Sequence, residues 1–241
     1  MKPITPEFFC PGDAAQVARA AANLVLSRAR RAIAERGRFR LVVAGGVTPL
    51  STYRLLAAAR TDWPAWEVFF GDERCLPVDD PDRNSRAVAE AWLDHLPDPI
   101  GAVHRIAAER GPQRAAAAYA ELVARVMPFD LVLLGIGEDG HTASLFPNTV
   151  YPPDDLVVPV FDAPKPPSER VSLTPAAFSG AGEILILVTG ASKRCAASAW
   201  RDGADLPVAR AAAASTSQVL IDEAAGGRED PRFMGGSGLD S

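Results

Sequence analysis

The segment Asp130-Leu131-Val132-Leu133-Leu134-Gly135-Ile136-Gly137-Glu138-Asp139-Gly140-His141 runs from unbroken apolar residues into a glycine-rich turn and ends on a histidine. Leucine and valine with no polar interruption suit a strand covered on both faces, which is the habit of parallel sheets. Residues 129–134 are therefore read as a strand. Gly135, Gly137 and Gly140 then supply more backbone freedom than a plain turn needs. Such freedom suits a backbone that must come close to a small ligand.

The same alternation extends in both directions. Residues 14–36 predict an amphipathic helix with Val17, Ala21, Leu24, Val25 and Ile33 on one side, arginines 28–31 mostly toward solvent, and Gly37 as its stop. Residues 39–44 predict a buried strand followed by Gly45-Gly46, with Thr48 as the expected N-cap of the next helix and Pro49 at its first position. Further strands are expected at 66–70, 156–160, 170–174, 183–188 and 217–221, and helices at 85–96, 112–126 and from near Ser192. Apolar strands alternating with helices predict a doubly wound α/β fold, a mainly parallel, Rossmann-like sheet with helices on both faces. Such sheets bind ligands beyond the carboxyl ends of their strands. The proline-rich residues 152–167 are read as a surface connection rather than a linker. One domain is expected over residues 1–225, and the tail 226–241, which lacks apolar periodicity, is expected to be disordered.

Composition narrows the function classes. The 241 residues are 48% hydrophobic and 23% charged, enough for a sizeable core. A net charge of −5 argues against nucleic acid as a partner, since phosphate-backbone affinity comes from basic patches. A few focused cations can still hold one small phosphate. Cys10, Cys75 and Cys195 are odd in number and form no CxxC or Cys/His spacing, which predicts neither a disulfide framework nor a metal site. The start, MKPITPEFFCPGD, lacks the apolar core of a signal peptide, and no run approaches a membrane span, so a cytoplasmic protein with no membrane partner is expected.

Three segments place polar groups where a strand ends. In Ala44-Gly45-Gly46-Val47-Thr48-Pro49, backbone N–H groups at a helix start can converge on an anion; the other reading is an ordinary strand–helix turn. The pattern is neither GxGxxG nor GxxxxGK[ST], which disfavours dinucleotides and nucleoside triphosphates. Gly71-Asp72-Glu73-Arg74 offers a guanidinium fork suited to phosphate or carboxylate, or else a surface loop with a local ion pair. In the third, His141 suits general-base work near pH 7, and Asp139 is placed to orient its ring or help align water. His95, expected in a helix, and His104, expected in a loop, lack such a setting and receive no role. Arg170 in RVSLT and Lys193 in VTGASKR occupy comparable positions, as ligand cations or as solvated charges.

Taken together, AGGVTPLSTY, GDER followed by Asn84 in DRNS, LGIGEDGHTASLFP, RVSLTP and VTGASKR resemble, in order and spacing, the 6-phosphogluconolactonases. The fold this implies is the one also found in glucosamine-6-phosphate deaminases. The resemblance implies hydrolysis of 6-phosphoglucono-δ-lactone to 6-phosphogluconate, in the oxidative pentose phosphate pathway, with no metal or organic cofactor. By position it makes His141 the base that activates water, with Asp139 and Arg170 as further catalytic candidates. It makes Gly45, Gly46 and Thr48 the phosphate cradle, Arg74 and Lys193 anchors, and Asp72 a residue that steers Arg74 or sugar hydroxyls. The implied partner is a small sugar-phosphate lactone, with the chain a monomer or small homo-oligomer.

Ala44 and Val47 stand where that family usually carries serines, so backbone donors rather than hydroxyls are left to the cradle. Glu138, before Asp139, is another departure and is read as neutral. Deaminases resembling this chain carry a glutamate where Phe146 stands, and a phenyl ring cannot relay a proton. A sugar-phosphate sensor of this fold needs an attached DNA-binding module, which an acidic chain with a short N-terminus does not supply.

Overall fold

The computed structural model describes residues 6–226. Of the tail expected to be disordered, all but Gly226 lies outside the described residues. Parallel strands make a seven-stranded sheet in the order β1-β10-β9-β6-β2-β3-β5. These are β1 (Glu7–Gly12), β2 (Phe39–Val43), β3 (Trp66–Phe70), β5 (Ala102–His104), β6 (Leu131–Gly135), β9 (Glu183–Val188) and β10 (Ser217–Asp222). A second, three-stranded antiparallel sheet joins β4 (Asp72–Arg74), β8 (Arg170–Leu173) and β7 (Val157–Val160) in that order.

The helices are α1 (Ala14–Arg36), α2 (Val47–Ala57), α3 (Asn84–Ala91), α4 (Pro112–Val126), α5 (Pro175–Phe178), α6 (Arg194–Arg201) and α7 (Pro207–Ala212). Connections running toward β5 carry α1, α2 and α3, and these pack on one another in chain order. Those running back toward β1 carry α4, which packs on β7 and β8, and α5, which packs on β8 and α7. Right-handed crossovers place the two groups on opposite faces. One apolar cluster runs through the large sheet, from Val17 on α1 to Leu134 on β6 and Ile221 on β10. A capping box starts α1, where Asp13 Oδ1 accepts from the Gln16 N–H at 2.8 Å and Gln16 Oε1 accepts from the Asp13 N–H at 2.9 Å.

Topology makes a crevice at one place. After β2 the chain moves toward β5, and after β6 it moves toward β1, so their exits diverge. The two strands pair only at Leu41 with Leu131 and Val42 with Val132. Ligands bind in doubly wound sheets at such a reversal of strand order.

Several expectations need correction. Segments 156–160 and 170–174 belong to the antiparallel sheet, because short apolar runs carry no signal for strand direction. The charged turn Asp72–Arg74 is itself a strand, held by pairing to β8 rather than by its own propensity. Edge strands β1 and β5 were not anticipated: β1 contains Pro11 and a register shift, and β5 has only three residues. The helix expected at 85–96 ends at Ala91, and Leu93–His95 is a 3-10 turn. Trp92 leaves helical geometry to bury its indole against Tyr53 and Trp66. His104 ends β5, with its ring stacked on Phe69 at 4.4 Å. Thr48 is not the N-cap: α2 begins at Val47 after Gly46, whose φ of 100° favours glycine, and the Thr48 hydroxyl instead hydrogen-bonds Thr189 Oγ1. Arg28 is paired to Glu183 at 2.5 Å rather than left to solvent.

Candidate active site

A pocket of about 210 Å³ opens at the crevice between β2 and β6. Its lining comes from five places in the chain: Ala44 to Gly46 after β2, Asp72, Arg74 and Asn84 around β4 and α3, Gly135 to Gly137 with His141 to Ala143 after β6, Arg170 on β8, and Lys193 after β9. Carboxyl ends of neighbouring parallel strands, with β4 and β8 alongside, bring these together.

His141 is held by its own turn. Asp139 Oδ1 lies 2.5 Å from Nδ1 and also accepts from the His141 N–H at 3.2 Å. With Nδ1 donating to the carboxylate, Nε2 carries the lone pair. Gly137 donates to the His141 carbonyl at 2.7 Å, and a Cβ on Gly137 would meet Nδ1 at 2.0 Å, so only glycine lets the ring fold back here. Burial pushes the Asp139 carboxyl up, but hydrogen bonds from His141 outweigh it and hold the group below the usual carboxylate range. Phe146 packs on the other side, 5.0 Å from the His141 ring and 5.6 Å from the Arg170 guanidinium carbon, in cation–π contact with the latter.

Across the pocket a buried polar chain sets β4 and α3. Asp72 accepts from Asn84 Nδ2 at 2.9 Å and from Ser144 Oγ at 2.6 Å. Burial raises its carboxyl pKa, while Ser144, Arg74 and Arg170 pull the other way. Asn84 in turn abuts Gly45, where a Cβ would come within 2.1 Å of Asn84 Oδ1. Glu73, fully buried, accepts from the N–H groups of Arg74 at 2.8 Å, Asn84 at 2.8 Å and Ser85 at 2.9 Å. It therefore caps α3 from β4, favoured by the helix dipole, with Arg83 Nε 3.5 Å away.

The cations are the pocket's most unusual feature. Arg74 and Arg170 stand directly opposite each other on β4 and β8. Like charges so placed repel, and an anion between them relieves the repulsion. Arg170, buried, commits Nε to the carbonyl of Pro167 at 3.0 Å and Nη2 to that of Lys165 at 2.7 Å, and among the described residues Nη1 has no hydrogen-bond partner. Burial lowers its pKa, the neighbouring Arg74 adds to this, and Asp72 opposes it. Arg74 donates to the Asp82 carbonyl, and its charge helps to draw the Asp72 carboxyl down against burial. Among the described residues no carboxylate lies within ion-pair distance of Arg74, Arg170 or Lys193.

Gly45, Gly46, Asp72, Arg74, His141, Arg170 and Lys193 thus line one pocket. Thr48 does not line it, and Asp139 faces the adjoining larger cavity of about 800 Å³ while bonding His141. Sequence reasoning passed over Asn84 as a pocket residue, Glu73 and Ser144 as supports, and Asp222, whose carboxylate accepts from the Gly190 N–H at 3.0 Å in the loop leading to Lys193. The only signal for the first three was their lying within the motif segments. Asp222 carried none, because its partner is 32 residues away. Among the described residues no group of three His, Cys, Asp or Glu is placed to hold a metal ion, and no helix is long and apolar enough to cross a membrane.

Fold and pocket together define a sugar-phosphate enzyme class: the chain belongs to the glucosamine-6-phosphate isomerase/6-phosphogluconolactonase family, whose pattern matches residues 12–221. Within that family it is similar to 6-phosphogluconolactonase of Mycobacterium leprae (strain TN), 36% identical over 232 residues, covering 88% of this chain and 94% of the relative. The structure of 6-phosphogluconolactonase from Trypanosoma brucei superposes with a TM-score of 0.81 at 26% identity, covering 92% of this chain and 98% of that one. A monomeric glucosamine-6-phosphate deaminase shares the fold, with a TM-score of 0.79 at 22% identity over 91% of this chain and 98% of that one.

Proposed function

We propose that the protein is a 6-phosphogluconolactonase, a lactone hydrolase that opens 6-phospho-D-glucono-1,5-lactone to 6-phospho-D-gluconate. The observation that carries the reading is the meeting, in one pocket, of a carboxylate-paired histidine with three cations, Arg74, Arg170 and Lys193, that have no ion-pair partner among the described residues. A lactone is an activated ester, so a positioned water, a base and stabilisation of the oxyanion suffice.

In this reading the phosphate rests on the backbone of Gly45-Gly46 at the start of α2, with Arg74 and Lys193 as its counter-charges. Thr48 contributes main chain only, because its side chain lies outside the pocket lining. Nε2 of His141 takes a proton from water as the water oxygen attacks C1. Asp139 stabilises the imidazolium that forms. Arg170, on the His141 side through Phe146, stabilises the oxyanion. Collapse of the tetrahedral species breaks the C1–O5 bond, and the imidazolium returns its proton to O5. The new carboxyl group then loses a proton to solvent.

A coupled lactone-hydrolysis assay, corrected for spontaneous opening, tests the reading. His141→Ala is expected to lower kcat about 10²- to 10⁴-fold, the usual worth of a general base, while 6-phosphogluconate binding is retained. Near-normal turnover in that variant would remove His141 from the base role.

A further inference from the structure

We infer that Asn84 is a specificity-determining residue of this pocket, whose Oδ1 accepts a hydrogen bond from one of the lactone's ring hydroxyls; this rests on the lactonase reading above. An amide side chain has two N–H protons and one acceptor oxygen. Asn84 Nδ2 lies 3.0 Å from the Asp72 carbonyl and 2.9 Å from Asp72 Oδ1, so both protons are committed. Flipping the amide would turn its oxygen toward those two oxygens, which fixes the orientation. Oδ1 then lies against Gly45, within the pocket lining.

Among the described residues no donor reaches Asn84 Oδ1, whereas each oxygen of Asp72 already accepts a hydrogen bond. The surrounding side chains of Arg74, Arg170 and Lys193 are donors only. A phosphate, which carries no proton to share at its dianionic stage, is repelled by a bare amide oxygen. A sugar hydroxyl is matched to it. Glu73 makes the acceptor rigid, because it holds the Asn84 and Ser85 N–H groups from a fully buried position. Sites built to hydrogen-bond a hydroxyl discriminate sharply against analogues lacking it, since the buried partner is left unpaired.

The test compares kcat/KM for 6-phosphogluconolactone and its 2-, 3- and 4-deoxy analogues in wild type, Asn84→Ala and Asn84→Ser. The serine variant stands in should the alanine variant unfold. Wild type is expected to prefer the parent over one analogue by about ten- to a hundredfold, the cost of leaving one acceptor unpaired. In the variants that single preference shrinks to about threefold or less, while the preferences at the other two hydroxyls stay as they were. Equal loss for all four substrates, or a wild type indifferent to every deoxy position, overturns the inference and leaves the lactonase reading standing. No turnover of the parent lactone by wild type overturns both.

Discussion

His141 and Asp139 are two residues apart, yet their pairing depends on Gly137, because any side chain there would occupy the space of the ring. Asp139→Asn keeps the size of the side chain and loses the charge that selects the Nδ1–H tautomer. Turnover is expected to fall by about 10² or more, with little change in KM; a KM effect alone would show that Asp139 serves binding. The pH sign is also determined. Asp139 is held below the usual carboxylate value when folded, so its contribution to stability is present above about pH 4 and is lost as pH falls through the lower folded value. Acid unfolding curves should therefore be shallower below about pH 4 in Asp139→Asn than in wild type. Identical slopes would mean that the pair contributes nothing to folding.

Among the elements, β4 and α3 are joined by one side chain. Glu73 supplies the acceptor that α3 lacks at its own N-terminus, and Arg83 beside it is buried as well. Removing the Glu73 carboxylate leaves three unmatched N–H groups, those of Arg74, Asn84 and Ser85, while Arg83 keeps its ion pair with Glu109 at 3.0 Å. Glu73→Ala is expected to destabilise the fold by about 3 kcal/mol or more, since each unsatisfied buried N–H costs about 1 kcal/mol or more, measured by denaturant unfolding, whereas Asp13→Ala at the start of α1 should cost about 1 kcal/mol. A Glu73→Ala cost near that of Asp13→Ala would reduce Glu73 to an ordinary cap. Such coupling was hidden in the sequence because Glu73 reads as one charge of an acidic turn, and its partners Asn84 and Ser85 are 11 and 12 residues later. By contrast α1, with its long periodic face and glycine stop, was legible from end to end.

At the scale of the molecule, an acidic chain of net charge −5 concentrates Arg74, Arg170 and Lys193 at one crevice. Binding an anion there should stabilise the whole fold. At a hundred times its Kd, 6-phosphogluconate is expected to add about 2.7 kcal/mol and to raise Tm by several degrees. Arg74→Ala and Lys193→Ala should lose most of that shift, and added salt should weaken it. An equal shift from unphosphorylated gluconate would argue that the cations do not hold the phosphate. The continuous core supports the proposal of one domain over residues 1–225, which predicts a single cooperative transition in the same melts.

What the chain's residues determined locally was the pattern of buried strands and helices, the glycine-rich exits after β2 and β6, and the imidazole with its neighbouring carboxylate. These follow from periodicity and backbone freedom, which act over a few residues. Tertiary structure alone decided that β4, β7 and β8 leave the parallel sheet, that Arg74 faces Arg170 across two strands, and that Asn84 meets both Asp72 and Gly45. The physical reason is that strand direction and charge pairing are settled by partners far away in the chain. Their free energy exists only once the crossovers have brought those partners together.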